Sequence, residues 1–265
     1  MVKRCCVSLA GLALVLGALA TTSPAMAGTT GHTRPAAGAV NPGGPLRLVV
    51  GSHGVHRASV TSKNWSGYAS TGGTFHSVSA SWVEPSVNCA GTTIADAAFW
   101  VGIDGDGSKT VEQLGSMSEC AFGTASYSAW WEMYPNPSNT IANTVKPGDH
   151  FSASVTNTSG GSFTLKITDS TQRWSHTYHK SSTTNKDASA EAIVEAPSSL
   201  FGILPLSDFG TAHFTHVNVD GAAIGNTNPD QITMVDSSGK PEDSVSALTG
   251  GNAFTATWKS STKPR

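Results

Sequence analysis

Apolar and polar residues alternate along much of this chain with a period of two. In "SVSASWVEP" from Ser77, Val78, Ala80 and Trp82 are separated by serines. The same alternation runs through "HFSASVTNT" from His150, "SFTLKITDS" from Ser162 and "AFTATWK" from Ala253. Successive side chains of a strand point to opposite faces, so such a run predicts a strand with one buried face. "AAFWVGI", "SAWWEMYP", "AHFTHVNV" and "QITMVDS" add runs rich in Val, Thr, Phe, Trp and Tyr, with Gly, Asn, Ser and Pro between them. Helix-period patterns of useful length are absent. Many short strands at regular spacing predict an all-β fold, a β-sandwich of two packed antiparallel sheets.

One strand breaks the pattern. In "AEAIVEAP", Ala190 to Pro197, the residues Ala192, Val194 and Ala196 form an apolar face suited to a core. Glu191, Ile193 and Glu195 point the other way, aiming two carboxylates off a segment of little other polarity. Comparable mixed faces occur elsewhere. Trp130, Glu132 and Tyr134 share one in "YSAWWEMYP", and Val111, Gln113 and Gly115 share one in "TVEQLG". Lacking a side chain, Gly115 is expected to leave room across the sheet. A surface mixing Trp, Tyr, Glu and Gln is neither plain core nor plain solvated face, and it predicts the floor of a groove.

The chain's start changes the picture of where the protein works. Lys3 and Arg4, an apolar stretch from Val7 to Ala20, and "AMA" before Gly28 make residues 1–27 a secretory signal. No later stretch is long and apolar enough to span a bilayer, so a secreted, extracellular protein without a membrane partner is expected. Residues 28–63, rich in Gly, Pro, Ala and Thr, read as a leader or propeptide, and residues 64–265 as a single domain. All eighteen acids lie after Lys63, whereas six of the sixteen Lys and Arg lie at or before it. The remainder therefore carries ten basic against eighteen acidic residues, a formal charge of −8. A basic arm ahead of an acidic domain fits a propeptide that masks an acidic cleft. Acidity, and the lack of basic clusters with interleaved aromatics, argue against nucleic acid.

Several chemistries lose support residue by residue. "DGDGSKTVEQLG" begins like a calcium loop, but Lys109 stands where the turn glycine belongs and Gly115 where the bidentate glutamate belongs. The histidine pairs His176/His179 and His213/His216 lack the helical zinc spacing, and in strands each pair is expected on opposite faces. No metal and no cofactor are expected. There is no G-x-S-x-G elbow. Cys5 and Cys6 fall in the signal, leaving Cys89 and Cys120, which an oxidising compartment would allow to pair.

Taken together, "NWSGY" at Asn64, "SWVEPS" at Ser81, "FWVGIDGDGSKTVEQLG" at Phe99, "YSAWWEMYP" at Tyr127, "AEAIVEAP" at Ala190 and "LPLSDFGTAHFT" at Leu204 resemble the glutamic peptidases, or eqolisins. These are secreted, acid-acting endopeptidases. The resemblance runs over almost all of the chain after Lys63 and implies a β-sandwich of two curved antiparallel sheets. It also implies a catalytic dyad of Gln113 and Glu195, with groove residues at Trp100, Asp104, Trp130, Glu132 and Tyr134. Glu191, by strand parity, faces the same groove. Two departures, Ala192 for a commoner tryptophan and Trp131 and Met133 within the "W-Y-E-W-Y-P" stretch, fall on positions pointing away from it.

The dyad supplies what uncatalysed peptide hydrolysis lacks. An ionised Glu195 takes a proton from water and returns it to the leaving nitrogen, while the Gln113 amide donates to the oxyanion. A carboxylate near its reference pKa of about 4.3 stays ionised into moderately acid solution. The expected partners are polypeptide substrates and the chain's own propeptide, acting on a monomer. From the residues alone two readings stay open: a glycosidase using Glu132 and Glu195, and a non-catalytic carbohydrate- or peptide-binding module.

Overall fold

A computed structural model describes residues 44, 45, 47, 59–200 and 202–261. The signal at 1–27 and most of the leader lie outside these residues. The first strands are β1 (Val60–Ser62), β2 (Trp65–Thr71), β3 (Ser77–Val83), β4 (Ile94–Ile103), β5 (Val111–Ala121) and β6 (Thr124–Tyr134). Next come β7 (Asn139–Ile141), β8 (His150–Ser159), β9 (Ser162–Asp169), β10 (Trp174–Ser181) and β11 (Ser189–Glu195). A small hairpin, β12 (Ser198–Ser199) and β13 (Gly202–Ile203), precedes β14 (Thr211–Val219) and β15 (Ala222–Ala223). The last strands are β16 (Asp230–Met234), β17 (Asp243–Val245) and β18 (Phe254–Trp258).

Two large sheets face each other. The first runs β1-β16-β2-β11-β4-β5-β6-β7, and the second β10-β9-β8-β3-β14-β18-β17 with β15 on β14. Pairing is antiparallel except for β1 on β16. β1 thus lies inside the segment read as a leader, yet it is hydrogen-bonded into the first sheet, with Val60 and Ser62 buried.

The alternation seen in the sequence is what packs the sheets together. Val78, Ala80 and Trp82 of β3, Phe151, Ala153 and Val155 of β8, and Phe163, Leu165 and Ile167 of β9 all turn inward. They meet Phe99 and Val101 of β4, Leu114 of β5 and Ala192 and Val194 of β11. Each large apolar side chain so buried contributes roughly 1.5–3 kcal/mol. Such a core fixes register, because a slip of one residue would turn every inward group outward.

The outer faces of the two sheets differ. Outward positions of the second sheet are mostly Ser and Thr and meet solvent, as an antiparallel sheet normally allows. In the first sheet β11 is buried at every position and β4 and β5 at all but one each. Its outer face bears a second apolar cluster that includes Trp65, Trp100, Val111, Met117, Trp130 and Ile193. The Trp, Gln and Glu side chains of the mixed faces lie there, buried. Cys89 and Cys120 are joined by a disulfide that ties the approach to β4 to the end of β5.

One parity expectation fails. β14 carries a bulge between Thr215 and Asn218 where it pairs with β3. The extra residue puts His213 and His216 on the same exposed face rather than on opposite ones. His176 and His179 of β10 do lie on opposite faces.

Candidate active site

Cross-strand register builds the site in rows on the outer face of the first sheet. One row runs Ala69, Glu191, Gly102, Gln113, Glu132 across β2, β11, β4, β5 and β6. The next runs Gly67, Ile193, Trp100, Gly115, Trp130, and the third begins Trp65, Glu195, Ala98. Glu195 projects outward because its neighbours Val194 and Ala196 are held in the core.

Two N–H donors hold the Glu195 carboxylate. Trp100 Nε1 donates to Oε2 at 3.0 Å and Asn64 Nδ2 to Oε1 at 3.4 Å. The Trp100 indole is braced edge-on by Trp65, with ring centroids 4.9 Å apart. Gln113 Nε2 donates to Glu132 Oε2 at 2.9 Å, which fixes the amide on the groove face. Burial pushes the Glu132 carboxyl up to about 9, the nearby Glu195 charge adds to the rise, and the Gln113 donor opposes it. Glu132 is therefore neutral in acid solution. Glu195, Gln113, Glu132, Trp100 and Trp130 are all essentially inaccessible to solvent in this structure.

The remaining residues expected in the groove separate into different roles. Trp130 lies in the outer cluster with its Nε1 donating to the Ser116 carbonyl, and half-buried Tyr134 packs beside it. Asp104 acts as a loop anchor. Its carboxylate accepts the main-chain N–H groups of Lys186, Asp187 and Ala188 at 2.7, 3.0 and 2.9 Å. Glu191 faces outward as expected, but it stands four residue steps from Glu195, about 13 Å along an extended chain. Its carboxyl is held well above the usual range by burial, then by Asp106, Asp104 and Glu112, against a Ser189 hydrogen bond. Glu191 and Asp104 thus belong to a second acidic group, apart from the Glu195 carboxylate.

Gly115 also differs from expectation. A Cβ there would meet the Phe99 carbonyl oxygen at 2.1 Å and Trp100 Cβ at 2.6 Å. The missing side chain lets β4 and β5 approach closely and seats Trp100; it opens no space for a ligand. Asn64, absent from the expected set, was marked only by standing at the head of "NWSGY". Among the described residues no cluster of His, Cys, Asp and Glu is arranged to hold a metal ion, and no helix is long and apolar enough to cross a membrane.

A sequence model of the Peptidase A4 family matches residues 63–258. The chain belongs to the Peptidase A4 family. Scytalidopepsin B of Scytalidium lignicola is 33% identical over 193 residues, covering 68% of this chain and 72% of its own. Aspergillopepsin-2 of Aspergillus niger is 28% identical over 199 residues, covering 66% and 70%. Among solved structures, scytalido-glutamic peptidase with a peptide-based transition state analogue superposes with a TM-score of 0.64 at 25% identity, covering 74% of this chain and 98% of that one. Aspergilloglutamic peptidase of Aspergillus niger gives 0.56 at 26% identity, covering 62% and 99%. This A4 peptidase is thus a hydrolase acting on peptide bonds, built on the glutamic-peptidase β-sandwich.

Proposed function

We propose that this A4 peptidase is an exported endopeptidase in which Glu195 is the general base and Gln113 the oxyanion donor. The observation that carries the assignment is the pair of N–H donors on Glu195. Hydrogen bonds to a carboxylate favour its charged form and fix its lone pairs, which a base needs at acid pH. Glu195 takes a proton from water as the water oxygen attacks the scissile carbonyl. One N–H of the Gln113 amide is committed to Glu132, and the other donates to the oxyanion. The proton on Glu195 then passes to the departing nitrogen as the C–N bond breaks. Two of the solved structures hold peptide ligands, a peptide-based transition state analogue and the tripeptide Ala-Ile-His, which supports polypeptide substrates here. The whole site comes from one chain and works as a monomer.

The leader enters the same proposal. Trp65 Nε1 donates to the Gly44 carbonyl at 3.0 Å, and Asn64 Nδ2 to that of Pro45 at 3.3 Å. Asn64 Oδ1 accepts the Arg47 N–H at 2.9 Å. These contacts reach the side chain that holds Glu195, in a chain whose dyad is closed to solvent. The full-length protein is read as a zymogen, activated after export when the leader leaves. On the leader side these contacts are main-chain groups, a peptide-backbone latch; Arg34 and Arg57 of the basic arm lie outside the described residues. Because β1 is integral to the sheet, the release point is placed ahead of Val60.

Steady-state kinetics on a fluorogenic peptide test the dyad. Glu195→Gln should abolish turnover with the fold intact, since an amide cannot accept the proton. Gln113→Ala should lower kcat by about 10²–10³ with a smaller change in KM. An unchanged kcat in either variant overturns the assignment.

A further inference from the structure

The outer face of the second sheet lies across the sandwich from Glu195 and carries a groove of its own. Two cavities of about 310 and 340 Å³ adjoin there, sharing Ser81, Ser152 and His216. Lys166 lines the first, His150 and His213 line the second, and His216 reaches both. No carboxylate lines either, in a domain whose formal charge is −8. The rest of the lining is chiefly hydroxyl groups and main chain. Trp82 and Phe151 at its base belong to the buried core.

The β14 bulge is what brings the histidines together. Thr215 pairs with Ser81 and Asn218 with Ser79, so one extra residue is accommodated between them. His216 takes φ 53°, a left-handed conformation uncommon outside glycine, and Asn218 Nδ2 caps its carbonyl at 2.9 Å. Bulges re-aim side chains, and this one turns an inward position outward.

We propose that this groove binds a carboxylated polysaccharide under acid conditions, through His150, His213, His216 and Lys166. Imidazoles take on positive charge on the acid side of neutrality, whereas sugar carboxylates keep theirs down to about pH 4. In that range the ligand is anionic, and it meets three imidazoles and the Lys166 side chain with no carboxylate in the lining. The acidic domain around the groove repels an anion more strongly toward neutral pH, as its carboxylates ionise. Around the histidines, β3 contributes serines, β8 His150, β9 Lys166, β14 His213 and His216, and β18 sets Thr255 opposite His213. Asp149 and Asp169 near one end are buried, and Asp220 at the other accepts the main-chain N–H groups of His76 and Ser77. Two joined cavities suit a chain better than a single ion. Hydroxyls that both donate and accept match sugar hydroxyls, while no outward aromatic ring offers a stacking surface for a neutral sugar.

The test is calorimetric titration of the full-length Glu195→Gln chain with polygalacturonate, dextran and dextran sulfate. Binding of polygalacturonate at pH 5 should weaken at least about tenfold at pH 7.5. The combined His150→Gln, His213→Gln, His216→Asn variant should lose about tenfold at pH 5 with an unchanged melting temperature, asparagine being tolerated at the left-handed position. The same three changes in the active protein should leave hydrolysis of a small peptide unaltered. No binding of polygalacturonate at pH 5, or equal binding by the triple variant, overturns the proposal. Equal binding of dextran overturns the role of charge, and dextran sulfate binding where polygalacturonate fails overturns the carboxylate as the recognised group.

Discussion

Glu132 lies one strand beyond Gln113 from Glu195 and accepts the Gln113 amide at 2.9 Å, its carboxyl pushed up to about 9 by burial first and by the Glu195 charge second. A second ionised carboxylate there would push the Glu195 proton affinity up, blunting it as a base in acid. A neutral acid positions Gln113 without that penalty. Glu132→Gln keeps a neutral acceptor in the same place, so kcat should stay within a few-fold of wild type below pH 7. Glu132→Ala leaves the Gln113 amide unclamped, and misplacement of a catalytic group can cost about 10²-fold. Initial-rate profiles of both variants from pH 3 to 7 decide the matter. If the glutamine variant is as damaged as the alanine one, the ionised form of Glu132 has a role that this assignment lacks.

At the scale of strands, β4 and β5 carry Trp100 and Gln113, and the Cys89–Cys120 disulfide ties the segments at their far end. The sequence separation of 31 gives a chain-entropy stabilisation of about 3–4 kcal/mol. Cys89→Ala with Cys120→Ala should lower unfolding free energy by that order in urea titrations, while activity well below the melting temperature persists. These strands also show what could be read in advance. Alternation placed Val194 in the core and Glu195 outside it, because period two is a local property. It also placed Trp130 and Glu132 on the groove side. Three features depend on contacts distant in sequence and left no local trace. Gly115 is required by the Phe99 carbonyl of a neighbouring strand, and Asn64 reaches Glu195 across 131 positions. His216 owes its direction to one unpaired residue against β3, which inverts parity without altering composition. β1 was hidden for a different reason: three residues are too few to show a period.

Taken whole, the molecule hides carboxyl groups in its interior. Glu84 is raised from 4.5 to about 8, first by burial and then by Asp149 and Asp169, against a Ser116 hydrogen bond. Glu112 rises to about 8, and Asp243, bonded to Ser66, to about 7. For each, the folded state holds its proton more tightly than the unfolded one. The stability this provides is fully present below the unfolded pKa of about 4, and it is lost as pH rises through the folded values near 7 to 8. The melting temperature should therefore be highest near pH 4 and fall steadily toward pH 8. Glu84→Gln, which cannot ionise, should flatten part of that slope; calorimetric scans at several pH values measure it, and an unchanged slope removes Glu84 from the account. The fold is thus expected to be at its most stable in acid. The contacts of Gly44, Pro45 and Arg47 have a separate consequence. Asn64 and Trp65 recognise only peptide groups there, which every amino acid except proline offers in full. Mutation can rewrite the side chains of this stretch while the fit survives, but an inserted or deleted residue shifts every carbonyl out of place. The fit of this stretch thus rests on its spacing more than on the identity of its side chains.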